Sequence, residues 1–402
     1  MPDSEEPLGA RVARLRVQRG YSQLQFARKV SRSVAWLSQV ERGVRHIDKM
    51  SMLETLAEAL DVSLADLGSG VPVIDAQSTV DEVAESLKLV LLTTGLAVGA
   101  LDQCVSIGID HMSDVVEETW QLVHAGEFGD LPSKFEQLIT TLSDACKNVD
   151  AGARPWELLA SAYQAMAAAC AQAGAGDAAW IAGDRAIQAA AMSGDPLAVG
   201  ASAFRLAVVF QSAKQFAYVE QTARLAAERV HPLAAEGCEA ARSIWGALTL
   251  QRAVAASRVD DAQRAYALLA DARTAAEIVG PGRNDGHTEF GPLNVAVHEV
   301  AIAVELGDAG HALRVAEAIN VDALSAERRS RLLIDVARAR MQRRDGTRAL
   351  EALLSAERLA PDHVRGHHRA RLMISDLLAL TEQPTDDLKD LARRIGMFAS
   401  RH

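Results

Sequence analysis

Residues 21–43, YSQLQFARKVSRSVAWLSQVERG, restrict the fold more than any other stretch of this chain, because they encode two short helices held at one turn. Ser22 is a good N-cap. Behind it Gln23 to Val30 carry Phe26, Ala27 and Val30 as an apolar stripe, which predicts a two-turn helix. Ser31-Arg32 is the turn, Ser33 caps a second helix running to Arg42, and Gly43 stops it by taking a positive φ. On a 100° wheel Val34, Ala35, Ser38 and Gln39 share one face of that second helix, while Trp36, Leu37 and Val40 share the other. One face is core and the other is free.

The flanks complete a small domain. Leu8, Val12 and Leu15 predict an amphipathic helix before the pair; Leu53, Leu56, Ala57 and Leu60 predict a fourth helix, and Ser63 to Leu67 a short fifth. Between Leu8 and Met50 ten basic residues face only Glu41 and Asp48, a net +8. The chain as a whole carries −11; its first 67 residues hold ten basic against nine acidic, so −12 lies beyond them. A basic field confined to one end of an acidic chain implies contact with nucleic-acid phosphates at that end alone. On the free face Gln39 suits a bidentate bond to adenine and Ser38 suits several bases, while Val34 and Ala35 offer apolar contact to a thymine methyl. Trp36 reads as core or a wedge on the phosphate side.

The stretch from Leu8 to Leu67 resembles the phage-repressor, or XRE, class of helix-turn-helix domain, through Arg16, Gly20, Ser22-Gln23, Ala27, Ser33, Leu37, Glu41-Arg42-Gly43 and the run Ala57 to Leu67. The resemblance implies an Arg16–Glu41 pair, and phosphate contacts from Gln23 and from the loop Arg42 to Arg45. Two departures stand out. Ser31 sits where a turn glycine is usual, and Arg32 takes a commonly aliphatic position, from which it would point to a phosphate. The DNA-facing set expected is thus Ser22, Gln23, Arg32, Ser33, Val34, Ala35, Ser38, Gln39, Arg42 and Arg45.

The other 330 or so residues are rich in alanine and poor in aromatics, at 4%, which favours closely packed helices, and no β-branched alternation long enough for a strand occurs. Polar turns recur before alanine-rich helices, at Asp177, Lys214, Asp261, Asp308 and Asp345, with spacings of 37, 47, 47 and 37 residues. Helical hairpins are expected near 112–147, 156–194, 196–231, 236–280, 292–320, 324–360 and 362–400. A hairpin leaves an apolar face that only its neighbours cover, so the fold class expected is all-α: a five-helix helix-turn-helix domain over 1–67, a linker and connecting or dimerising helices over 68–111, and a tetratricopeptide (TPR)-like solenoid over 112–402.

Cys104, Cys146, Cys170 and Cys238 form no paired motif, no cleavable leader is evident, and the most apolar run, Leu89 to Ala100, is too short to span a bilayer. A cytoplasmic location without membrane contact is expected. No H-E-x-x-H, G-x-S-x-G or P-loop pattern occurs, and the adjacent His367 and His368 do not face one metal from a helix, so neither an enzyme nor a metal or cofactor is expected.

The combination resembles bacterial regulators that place an XRE domain before TPR repeats. That resemblance implies a homodimer, double-stranded DNA with an inverted-repeat operator as partner, and a small-molecule or peptide effector bound in the repeats. The alternative is a TPR interaction scaffold merely tethered to DNA. The longest irregular segment, Gly280 to Pro292, precedes Asn294 and His298 at i and i+4, and long loops in repeats are often functional. With Phe290, these residues and Tyr163, Arg205, Gln211, Trp245 and Gln251 on the first helices of hairpins are the expected effector residues. Phe290, Trp245 and Trp156 read more readily as fillers between hairpins.

Overall fold

The computed structural model describes residues 8–30, 32, 34–42, 50–60, 62, 79–97, 109–380, 383–395 and 397. Among the described residues there are helices, short 3-10 turns and loops, and no strand. Contacts divide the chain into two compact units, Gln77–His298 and the combined stretches Met1–Ala76 and Glu299–His402.

In the N-terminal stretch α1 (Leu8–Gln18), α2 (Gln23–Lys29), α3 (Val34–Glu41) and α4 (Met50–Ala59) surround a core of Val12, Leu15, Phe26, Ala27, Val30, Leu37, Leu56 and Leu60. The segment expected to form a fifth helix, Ser63 to Leu67, lies outside the described residues. Ser22 caps α2 through a capping box: its hydroxyl accepts from the Gln25 N–H at 3.2 Å, and the Gln25 side chain accepts from the Ser22 N–H at 2.9 Å. α1 crosses the end of α3 so closely that a β-carbon on Gly9 would stand 2.1 Å from the Val40 carbonyl oxygen. Only glycine admits that approach.

The unit Gln77–His298 begins with α5 (Thr79–Ala97), which packs on α7 (Leu131–Ala145) and on α9 (Gly176–Ser193). Four hairpins follow: α6 (Ile109–Ala125) with α7, α8 (Arg154–Gln172) with α9 (Gly176–Ser193), α10 (Pro196–Ser212) with α11 (Phe216–Ala235), and α12 (Glu239–Arg258) with α13 (Ala262–Val279). The first helices pack side by side, α6 on α8, α8 on α10 and α10 on α12, so they share one face. Alanines such as Ala160, Ala165, Ala182 and Ala186 are fully buried and let helix backbones approach, while Trp120, Phe135 and Ile139 fill the larger spaces, each such side chain contributing about 1.5–3 kcal/mol.

The remaining stretch holds α15 (Ala309–Ala318), α16 (Ala326–Gln342), α17 (Gly346–Leu359), α18 (Pro361–Gly366), α19 (His368–Leu380) and α20 (Asp386–Arg394); α14 (Pro292–Glu305) bridges the division. Its core centres on Ile334, Leu353, Ile374 and Leu391. Arg338 is buried there against Glu305 at 3.0 Å and Asp335 at 3.1 Å. Burial opposes its charge, but the two carboxylates outweigh that and hold the guanidinium pKa above its ordinary value.

One turn recurs between the helices of successive hairpins. A residue with left-handed φ, Gly174, Lys214, Asp260, Gly307 or Arg344, precedes the N-cap of the second helix. Those caps are Ala175, Gln215, Asp261, Asp308 and Asp345. The aspartates accept from the backbone N–H three residues on, whereas Asp177 lies inside its helix and Lys214 before its cap. The hairpin spacings are therefore 40, 46, 47 and 37 residues measured cap to cap.

Candidate nucleic-acid interface and the face of the first helices

The helix-turn-helix geometry is held by one arginine. Arg16 on α1 meets Glu41, the last residue of α3, through Nε–Oε1 at 2.5 Å and Nη2–Oε2 at 3.1 Å, and its Nη1 donates to the Tyr21 carbonyl at 2.7 Å. With side-chain exposures of 11% and 6%, the two groups are largely withdrawn from water. Glu41 takes a further bond from Gln23 Nε2 at 2.7 Å. The Gln23 amide, expected on a phosphate, is thus committed to orienting α2 on α3, and Ser22 to its cap.

On α3, Leu37 and Val40 are buried and Trp36 is half-buried against the core. On its other side Val34 is 37% exposed, and Ser38 and Gln39 are half-buried. Ser33, Arg45 and the Ala35 side chain lie outside the described residues. The cations Arg28, Lys29, Arg32 and Arg42 are exposed. Arg42 Nε donates to the Ser38 carbonyl at 3.1 Å, and Arg32 lies 5.8 Å from the Trp36 ring with Nε 3.2 Å from Met52 Sδ. Lys29 reaches the Tyr21 hydroxyl at 2.8 Å.

The first helices in the unit Gln77–His298, which share one face, carry most of its buried polar groups among the described residues. Gln164 Nε2 on α8 donates to Ser202 Oγ on α10 at 2.9 Å, and Ser243, Thr249 and Gln251 on α12 are buried with side-chain oxygens that have no partner. Across this face runs the loop Gly280–Gly291. A β-carbon on its Gly286 would lie 2.6 Å from Ala201 Cβ on α10, and the Phe290 ring lies on Gly246 of α12. His287 reaches α6, stacking on Trp120 with centroids 4.2 Å apart and planes 12° apart. The loop is a strap.

Arg205 on α10 sits under the strap. Its Nη2 donates to the His287 carbonyl at 3.0 Å, its guanidinium lies 5.0 Å from the Trp120 ring, and its Nε is buried without a partner. Burial lowers its pKa to about 10, opposed by Glu289 on the strap. His287 is pushed down to about 4, by burial first and then by His124 and Arg205, so its ring is neutral. Trp120 is fixed from below by Nε1 donating to Ser161 Oγ on α8 at 3.0 Å. His287 and Glu289 both hold φ near +52°, at about 1–3 kcal/mol each for residues other than glycine. Internal bonds hold that shape: Arg283 on Asp285 at 2.8 Å, and the Glu289 N–H on Asn284 Oδ1 at 2.7 Å.

The expected effector residues fall into distinct surroundings. Phe290 is 1% exposed and packed as core against Gly246. Trp245 is half-buried beside His231, at 5.6 Å. Tyr163 is buried with Arg185 5.8 Å from its ring, and burial raises its phenol pKa. His298 bonds the Asn294 carbonyl of its own helix at 2.9 Å. Gln211 and Gln251 each hold a buried side-chain oxygen without a partner. Trp120, His124 and His287 were not anticipated; a histidine inside the longest irregular segment and a tryptophan on a first helix were the available signals. An open cleft of about 510 Å³ lies where Trp180, Gly174 and Asp177 meet Val209 and Ala213, lined by none of the expected residues. No described helix is long and apolar enough to cross a membrane.

No curated protein matches the chain in sequence. Among solved structures it is similar to PlcR of Bacillus thuringiensis in complex with the peptide PapR7 and DNA, at 14% identity and a TM-score of 0.30, covering 68% of this chain and 95% of that one. Residues 7–68 match the family model described as a helix-turn-helix domain, so the N-terminal segment of this chain is a helix-turn-helix domain.

Proposed function

We propose that this protein is a transcription regulator of the XRE kind, which binds an inverted-repeat operator in double-stranded DNA as a homodimer. In this reading a small molecule or peptide, held on a TPR-like face of the hairpin unit, sets operator affinity. The observation that carries it is the division of α3: Leu37 and Val40 are locked in the core and Glu41 is held by Arg16 and Gln23, while Val34, Ser38 and Gln39 lie on the side away from them beside exposed Arg32 and Arg42. A helix so held presents side chains to base edges without losing its angle.

The roles then follow from chemistry. Gln39 reads adenine, Ser38 bonds a neighbouring base, and Val34 with Ala35 contacts a thymine methyl. In this reading Arg32, Arg42, Arg45 and Ser33 contact the phosphates, together with the backbone at Ser22 and Gln23, whose side chains are held within the domain. An effector changes operator affinity only by the difference in its affinity for the DNA-competent and incompetent forms, typically about 1–3 kcal/mol.

The test is selection of operators by the purified full chain, followed by fluorescence anisotropy. Gln39→Ala is expected to relax preference at one base position at a cost of about 1–3 kcal/mol, while Arg42→Ala weakens all sequences alike and lowers the salt dependence. An unchanged motif in Gln39→Ala would reject this reading face.

A further inference from the structure

We propose that the Trp120 ring and the Nε–Nη2 edge of Arg205 form a binding site for a small planar aromatic carboxylate, and that the chain's own strap occupies it with His287. The inference rests on the reading that the hairpin unit takes an effector, and it names that effector's chemical class.

The strap supplies two parts of such a ligand. His287 lays a flat neutral ring on Trp120 at 4.2 Å and 12°, and its carbonyl gives Arg205 Nη2 an acceptor at 3.0 Å. A third part is missing. A guanidinium edge presents two parallel donors that match the two oxygens of a carboxylate, yet Arg205 Nε is buried with no acceptor. The same edge of Arg16 is filled by both oxygens of Glu41, at 2.5 and 3.1 Å. A ligand carrying ring and carboxylate in one plane would stack on Trp120 and fill both donors of Arg205.

Displacement is built into the strap. Two of its residues other than glycine hold left-handed φ. Its ends are anchored on α12, Arg283 on Glu239 at 2.6 Å and Phe290 on Gly246, while its middle rests on α10 through Arg205 and Ala201 and on α6 through Trp120, with Glu117 3.7 Å from His287. When it lifts, Glu289 leaves with it, which removes the acid that offsets the Arg205 charge. The vacated site is then more attractive to an anion. The ring it accepts is about the size of one imidazole or phenyl group, which favours a single-ring acid.

The probe is benzoate, titrated calorimetrically into the full-length protein, with benzamide as the uncharged analogue and cyclohexanecarboxylate as the non-planar one. We expect His287→Ala to bind benzoate at least tenfold more tightly than wild type, and both analogues to bind at least tenfold more weakly than benzoate. Arg205→Lys, which keeps the charge but lacks the edge, is expected to lose at least tenfold. Equal affinity for benzoate and benzamide, or unchanged benzoate affinity in Arg205→Lys, overturns the proposal, and the latter comparison stands even if His287→Ala does not fold. Operator affinity is measured in parallel. Benzoate binding that leaves operator affinity unchanged supports the site and rejects the effector reading, whereas an operator response to benzoate that survives in Arg205→Lys rejects the site alone.

Discussion

Arg16 in the helix-turn-helix domain and Arg205 in the hairpin unit are both guanidinium groups drawn out of water, and they are satisfied to different degrees. Arg16 gives both donors of one edge to Glu41 and a third to the Tyr21 carbonyl. Arg205 gives one donor to a carbonyl and leaves its buried Nε without an acceptor. An unfilled donor in low dielectric costs about 1–3 kcal/mol. A chain tolerates that cost where something other than stability is served, so the contrast separates a fixed scaffold from a receptive site.

The largest effect is expected on the scaffold side. Arg16→Met leaves Glu41, 6% exposed, with the Gln23 amide as its one side-chain partner among the described residues, and is expected to cost about 3–5 kcal/mol. Loss of hydrogen-exchange protection over residues 8–60 of the full chain measures this. The double variant Arg16→Met, Glu41→Leu is expected to recover most of it, because two apolar side chains remove the buried charge altogether. Protection unchanged in the single variant would mean that Arg16 is no more constrained than Arg205.

A second test uses two glycines at close approaches. At Gly9 an added β-carbon meets the Val40 carbonyl oxygen at 2.1 Å, and that backbone is fixed by α3. At Gly246 it meets the Phe290 ring at 2.2 Å, and that ring belongs to the strap. Gly246→Ala is therefore expected to expel the strap at about 1–3 kcal/mol, with faster hydrogen exchange over 283–290 and little change in the helices beneath. Uniform loss of protection across α10 and α12 would make Phe290 an ordinary core residue.

The same contrast marks what the sequence disclosed. Ser22, Phe26, Val30, Leu37 and Val40 follow helical spacing and capping rules, which act within a few residues, so α2 and α3 are readable locally. The hairpin boundaries are readable for the same reason, down to the aspartate caps at 261, 308 and 345. The Arg16–Glu41 pair came through family resemblance and has no local signal. Nor has the stack of His287 on Trp120, since nothing at either position specifies a partner more than a hundred residues away. Phe290 shows the limit from the other side. It lies in an irregular segment and looks available to a ligand, but the space that receives it is made by the absent side chain of Gly246 on a helix far upstream.

Acid is expected to loosen the strap by a smaller amount. His287 titrates near 4 in the folded protein against an ordinary 6.5, so between those values the unfolded chain binds the proton that the folded chain refuses. Stability is therefore intact above pH 6.5 and falls as pH drops toward 4, by about 1–2 kcal/mol at pH 5. The charged and titratable groups facing the ring are His124, Arg205 and, at 3.7 Å, Glu117, with Glu289 on the strap itself. Thermal melting of wild type and His287→Gln at pH 7 and pH 5 checks this. The variant is expected to lose part of the acid sensitivity, and identical pH dependence would place the ring in water.

The smallest expected effect is the most discriminating. Arg205→Met removes one charged hydrogen bond, worth about 1.5–3 kcal/mol, and the contact with Trp120, but it also removes a buried charge and an unfilled donor that cost about as much. The two sides nearly cancel, so the melting midpoint is expected to stay within a few degrees of wild type while Arg16→Met falls well below it. Stability gained or lost within about 1 kcal/mol supports a socket that the protein keeps only partly filled. A loss approaching that of Arg16→Met would show Arg205 fully satisfied by the strap, leaving no vacancy for a carboxylate.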